Sequence, residues 1–181
     1  MAGTVDPNAC IKAARFIECC HAFGLALIYF QDVPGFCPGP QSERTGIIRY
    51  SAKLLYRLAN AMVPRISILI RKVYGLARYG MCNMEFRLNL MVGWPTVEAS
   101  SIDHEDAVEI MFRRTMSKSS EWEKIKAQKV VEFKRKTRLA DALEAGLIDD
   151  VIDPRGIGPS SLKPCEWLRK EEEGSLSSAT E

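Results

Sequence analysis

Apolar positions along the 181-residue chain change period several times. After an Asp6-Pro7 start, suited to an N-cap and a first helical turn, Ala13, Phe16, Ile17, Cys20 and Gly24 recur at helical spacing. The unbroken apolar run LALIYF, 25–30, has the length of a strand. Ile47, Ser51, Leu54, Leu55, Leu58, Ala59 and Met62 then form a second helical stripe, which Pro64 stops. RISILIRKV, 65–73, alternates and is rich in β-branched residues, which predicts a strand. YGLARYGM turns at Gly75 into a short helix, and LNLMVGWP, 88–95, supplies a third strand. HEDAVEIMF reads as helix, and Ser120-x-x-Glu123 has the form of a capping box opening a long charged helix. LADALEAGLIDDVIDP reads as a helix stopped at Gly146, then a short strand ended by Pro154.

Strands alternating with helices predict an α/β fold, with helices covering a mainly parallel sheet. The loops 33–46 and 74–79 follow successive strands, so they fall on the same sheet edge and line one cleft. Ligands of α/β folds bind at that carboxyl edge. The first of these loops, VPGFCPGPQSERTG, is dense in glycine and proline and is expected to stay open. The length suits one domain with a core of its own. From Gly156 the composition shifts to Ser, Pro, Glu and Lys. The expected division is a folded unit over 1–155 and a loosely held polar tail over 156–181.

Composition narrows the function classes. Apolar residues make up 46% and charged residues 27%, with a net charge of +2, so no global field argues for nucleic acid or membrane. No apolar run is long enough for a bilayer, and MAGTVDPNAC resembles neither a secretory signal nor a transit peptide. The expected location is the cytoplasm, or the mitochondrial matrix in a eukaryote. Six cysteines without paired spacing read as reduced thiols. No metal site is expected, since no C-x-x-C is present and His21 and His104 stand far apart; His21 reads as a surface or packed histidine. The basic run from Lys124 to Arg138 reads as a solvated helix face, although CoA phosphates or nucleic acid could also meet it.

The chemistry lies in Gly75-Leu76-Ala77. A turn from strand into helix leaves backbone N–H groups without partners, and the helix adds partial positive charge there. Two such donors can hold a developing oxyanion. A glycine in that place is more often only a turn. The larger pattern adds weight. The stretches DPNACIKAARFIECCHAFGLALIYFQDVPGF, GIIRYSAKLLY, RKVYG, WPT-x-E, AVEIMFRR and DDVIDPR occur in this order. Together they resemble the carboxyltransferase subunits of biotin-dependent acyl-CoA carboxylases, of the propionyl-CoA carboxylase β-chain type. The resemblance covers about residues 2–155 and only the second half of such a subunit, without that half's beginning.

The resemblance implies a crotonase-like (ClpP/crotonase) spiral. It implies transfer of CO₂ from carboxybiotin on a carrier protein to the α-carbon of a short-chain acyl-CoA, of the propionyl or acetyl class. It places this chain on the biotin side of a site completed by the first half of another subunit. The backbone N–H groups of Leu76 and Ala77 become the oxyanion donors, and Gly35, Phe36, Gly46, Gly75 and Tyr79 become biotin or substrate contacts. Phe36 reads equally well as a packing plug, and Trp94 as core. The partners implied are a further copy or a first-half carboxyltransferase chain, and a biotin carrier or biotin carboxylase subunit, with neither nucleic acid nor membrane. Two other readings stay open: a non-catalytic paralogue or fragment assembling with a full subunit, and a biotin-independent decarboxylase or lyase on the same scaffold. Several glycines of the family pattern are replaced, at Thr45, Leu76, Asp103 and Asp106. Leu76 in particular is expected to suffer from any positive φ and to crowd a biotin pocket.

Overall fold

The computed structural model describes residues 3–86, 88–116, 122–136, 139–144 and 146–156. The expected tail beyond Gly156, the Ser120 end of the capping box and Cys165 therefore lie outside the described residues.

Five strands form one parallel sheet. They are β1 (Leu27–Val33), β2 (Arg65–Tyr74), β3 (Leu90–Gly93), β4 (Glu98–Ser100) and β5 (Asp150–Val151). The order is β1-β2-β3-β5, and β4 pairs with the far end of β2. The helices are α1 (Pro7–Ala22), α2 (Pro40–Arg44), α3 (Ile47–Asn60), α4 (Ala77–Gly80), α5 (His104–Met116), α6 (Trp122–Lys136) and α7 (Leu139–Glu144). The α/β expectation holds, and so do the three main strands.

The first core lies between β1 and the helices α1 and α3. Cys10, Ala14, Ile17 and Cys20 of α1 meet Leu54 and Leu58 of α3, with Leu27 below them. The expected stripe of α1 is thus corrected at Phe16, which is 62% exposed. One residue of helix rotates a side chain by about 100°, and the buried line runs through Cys10, Ala14 and Ile17 instead. Met62 is likewise exposed, because α3 ends at Asn60 before reaching it. Arg65, itself buried, secures that end by donating to the carbonyls of Leu58 and Ala61 at 2.7 and 2.9 Å. His21 is a surface histidine whose Nδ1 accepts from the Met62 N–H at 3.2 Å.

β2 does not show the expected alternation, since its first five residues are all buried. It is the central strand, with neighbours on both edges and side chains covered on both faces, as parallel strands commonly are. The loop 33–46 is also less open than expected. It contains the single-turn α2, with Pro40 at its start, where a fixed φ suits a first helical turn. At the far end, Gly146 stops α7 as the sequence predicts. Its φ is +68°, and the N–H groups of Gly146 and Leu147 return to Leu143 and Ala142.

Two motif residues shape β2. Its register against β1 jumps from Gln31↔Leu69 to Val33↔Val73. The extra residues form a bulge, which leaves backbone groups without ladder partners. Asp32 accepts from the Lys72 N–H at 3.0 Å, and Thr96 Oγ1 donates to the Ile70 carbonyl at 2.7 Å. Here β2 exchanges one neighbour for another: Ile66–Leu69 pair with β3, and Lys72–Tyr74 pair with β4. The bulge therefore aims the end of β2, and the turn after it, away from the sheet's main line. No helix among the described residues is long and apolar enough to cross a membrane.

Candidate functional site

The turn after β2 begins at Gly75, whose φ of +59° is left-handed. That conformation favours glycine, and a Cβ there would meet the Ser101 carbonyl at 3.4 Å. The Gly75 N–H is held by the Ser100 carbonyl at 3.1 Å. Leu76 follows with φ −70° and ψ −25°, and Ala77 opens α4. The positive φ thus belongs to Gly75. Leu76 adopts ordinary helical angles, which corrects the expectation of backbone strain there. Its side chain is 58% exposed, so it stands at the rim rather than inside this chain. Ala77 is buried. Among the described residues neither the Leu76 nor the Ala77 N–H has a hydrogen-bond acceptor. This leaves two consecutive donors at the end of a parallel strand.

The loop after β1 lies beside this turn, as expected. Phe36 is half-buried against the first core, and its Cζ is 3.7 Å from where a Gly80 Cβ would be. It serves as the plug between the two loops. Gly35 and Phe36 are fixed from outside by Val5, whose N–H donates to the Gly35 carbonyl and whose carbonyl accepts from Cys37 N–H. Gly46 heads α3 with φ +89°, and the nearest atoms to a Cβ there belong to its own helix, at Tyr50. Its role is a helix start. Tyr79 is half-buried on α4; Arg78 stacks on its ring at 4.9 Å and donates to its hydroxyl at 3.1 Å. The structure therefore brings Gly35, Phe36, Gly75, Leu76, Ala77 and Tyr79 to one edge, and leaves Gly46 as part of the helix after the loop.

Several residues that support the turn are not singled out by the sequence pattern. Gln31 is fully buried, and its Nε2 donates to Ser67 Oγ and to the carbonyls of Met81 and Cys82, tying the chain after α4 to the sheet. Its polarity at the end of an apolar run is the signal for it. Asp32 also takes a two-point hydrogen bond from Arg71, at 3.3 and 3.0 Å. Burial acts to raise its pKa, but the Lys72 N–H and the Arg71 guanidinium outweigh it and hold the carboxyl below its ordinary value. Behind the turn, Tyr74 Oη donates to Glu98 Oε2 at 2.6 Å, and Lys134 Nζ donates to Glu98 Oε1 at 2.9 Å. His104, also buried, places Nδ1 3.3 Å from Tyr74 Oη. Burial lowers the His104 pKa and raises that of Tyr74. Glu98 is held low because its hydrogen bonds from Tyr74 and Lys134 outweigh desolvation.

Three lysines of the basic run on α6 are paired with carboxylates of this chain. Lys126 pairs with Glu105 and Glu109, Lys129 with Glu132, and Lys134 with Glu98. That agrees with a solvated helix face. Cys10, Cys19, Cys20, Cys37 and Cys82 are free thiols. Burial pushes Cys10 and Cys82 up to about 11, so they act as small apolar groups.

A bulged parallel strand thus ends here in a left-handed glycine, followed by two backbone N–H groups with no acceptor among the described residues. The chain belongs to the carboxyl transferase family: the family model described as the carboxyl transferase domain matches residues 1–173. It is 39% identical over 155 residues to a putative propionyl-CoA carboxylase beta chain of Bacillus subtilis, covering 85% of this chain and 31% of that protein. It is 35% identical over 173 residues to the methylmalonyl-CoA decarboxylase subunit alpha of Veillonella parvula, covering 96% of this chain and 33% of that one. A crystal structure of transcarboxylase 12S, described as a hexamer assembly with methylmalonyl-coenzyme A and methylmalonic acid bound, superposes with a TM-score of 0.84 at 35% identity. That match covers 93% of this chain and 32% of the other. The chain therefore spans about a third of the length of the relatives it matches.

Proposed function

We propose that this chain forms the biotin-side wall of an acyl-CoA carboxyltransferase site. The observation that carries the reading is the pair of N–H groups at Leu76 and Ala77, open beyond a left-handed Gly75. Two consecutive backbone donors suit the ureido carbonyl oxygen of biotin, which gains negative charge as the carboxyl group leaves. When bound, carboxybiotin supplies the carboxyl group and a nitrogen base. The chain's own residues supply position and charge stabilisation: Gly75 directs the turn, Phe36 closes the space between the loops, and Tyr79 lines the acyl side.

Relatives about three times as long support a site completed by another polypeptide segment. The acyl-CoA wall would come from a first-half carboxyltransferase chain or region, and the biotin from a carrier protein. The acyl group would be of the propionyl or methylmalonyl size, as the names of the relatives suggest. The folded unit would end near 155. The similarity to a decarboxylase subunit favours a second reading, in which the same donors serve removal of a carboxyl group from acyl-CoA rather than its transfer between two carriers.

The test is reconstitution. The chain alone should show no transfer from carboxylated biotin carrier to propionyl-CoA, and adding a first-half polypeptide should restore it. Transfer by the chain alone would contradict the divided site. Loss of the carboxyl group from methylmalonyl-CoA without any transfer would favour the second reading.

A further inference from the structure

We propose that Tyr74, Glu98 and His104 are positioning residues that set the orientation of the turn from Gly75 to Ala77. The inference rests on the reading of Leu76 and Ala77 as the donor pair for its functional consequence, but its structural basis is separate.

Tyr74 is the last residue of β2 and directly precedes the left-handed glycine. Tyr74 is 1% exposed; its side chain reaches two other elements directly and a third through them. On β4 it meets Glu98, at 2.6 Å. On α5 it meets His104, edge to face, with ring centroids 5.6 Å apart. On α6, Phe133 packs edge-on against that same His104 at 6.3 Å, and Lys134 holds the other oxygen of Glu98.

Proton counting fixes the direction of these bonds. A carboxylate carries no hydrogen, so the single hydroxyl hydrogen of Tyr74 is spent on Glu98. His104 Nδ1 can then bond the tyrosine oxygen only by donating. The same N–H lies 3.7 Å from Glu98 Oε2, which favours that tautomer further. Among the described residues, the titratable groups facing His104 include Tyr74 from β2, Glu98 from β4, Asp103 just before its own helix and Lys134 from α6.

A purely structural core would not need this arrangement. Replacing a buried polar set with apolar residues of similar volume is often neutral for stability. A satisfied network instead specifies one orientation. Here the network fixes the χ angles of Tyr74, while the Gly75 N–H is fixed to Ser100 on the same strand, β4. Both attachments hold the residue from which the donor pair departs. A looser Tyr74 leaves the fold intact and lets the two N–H groups diverge.

The experiment uses amide hydrogen exchange and NMR on the full chain. In Tyr74→Phe, exchange at Gly75 and at Tyr79, whose N–H bonds the Leu76 carbonyl, should rise about tenfold. Exchange at Leu27, bonded to Pro64, should be unchanged. The parent should also show the Gly75 amide shift following the titration of His104, and Tyr74→Phe should abolish that coupling. Unchanged exchange at Gly75 and Tyr79, or unchanged coupling, overturns the proposal. If Tyr74→Phe does not fold, Glu98→Gln keeps the shape and removes the charge; it should raise the same two rates, and failure to do so overturns the proposal equally. Titration with biocytin separates this from the functional reading. A loosened turn in a chain that never binds biocytin keeps the clamp and removes the biotin site; unchanged exchange in a chain that binds biocytin does the reverse.

Discussion

Around β1, the sheet is covered by α1 and α3 through Cys10, Ile17, Leu54 and Leu58, with little that titrates near neutral pH. Around the end of β2, the cover is a phenol, a carboxylate, an imidazole and an ammonium group contributed by four elements. The first region is stabilised by apolar burial, which is not directional. The second is stabilised by bonds that hold only at one geometry and in one protonation state. The donor pair sits where the two regions meet. Its backbone is carried by the apolar side through Ala77 and Gly80, and its orientation by the polar side through Tyr74.

The contrast can be broken at several points. Leu58→Ala, at a position with no exposure, should cost about 3 kcal/mol in chemical denaturation, by cavity formation. That loss should be the same at pH 6 and pH 8. Glu98→Ala should cost less, about 2 kcal/mol, by leaving Tyr74 and Lys134 without their acceptor.

The second region should also give stability its pH dependence. His104 titrates below its ordinary 6.5 in the folded chain, so the unfolded chain takes up a proton first. Stability should therefore fall as pH drops through about 6.5 and continue down to the folded value. Glu98 and Asp32 are depressed carboxylates, so their contribution is present above their ordinary values of 4.5 and 3.8 and is lost as pH falls through their lower folded ones. Glu98→Gln should remove the Glu98 part of that loss, whereas Leu58→Ala should leave the profile's shape intact. A Leu58→Ala profile that changes shape would contradict the division.

Smaller effects sharpen the picture. Gly75→Ala should cost about 1 kcal/mol for its left-handed φ, and it should disturb the turn more than the fold. Leu76→Gly should bring no relief of strain, since Leu76 already has helical angles. Any gain in biocytin affinity from it, read by calorimetry, would come from space alone. Lys129→Ala, breaking an exposed pair with Glu132, should change stability by less than about 0.5 kcal/mol.

Much of this fold is legible in the sequence, for a physical reason. The strands β1, β2 and β3 arise from an apolar run, a β-branched stretch and a short apolar segment with clear breaks between them, and Gly75 and Gly146 stand where only a left-handed residue completes the turn. The turn at Gly75 could be located from that glycine and the strand before it, whereas the choice of Leu76 and Ala77 as donors comes from the family resemblance. β4 could not, because Glu98–Ser100 is three residues long and becomes a strand only through the bulge that frees the end of β2. Asp32 and Thr96 appear in the sequence as motif letters without a task; their task, serving the bulge's N–H and carbonyl, exists only once β1 and β2 are paired. His104 looks like one more polar residue of a charged helix start, beside Asp103, Glu105 and Asp106. Its burial depends on α6 folding back over it, a long-range contact that no local pattern encodes.

The proposed contact between the Leu76 and Ala77 N–H groups and the ureido oxygen of biotin is open to direct measurement. A ¹⁵N NMR titration of the full chain with biocytin tests it directly. Such a contact should give saturable downfield shifts at the Leu76 and Ala77 amides, with smaller changes at Phe36 and Tyr79 and none on α1. Saturable shifts that cluster elsewhere, or amides at 76 and 77 that stay unmoved at millimolar biocytin, would contradict it.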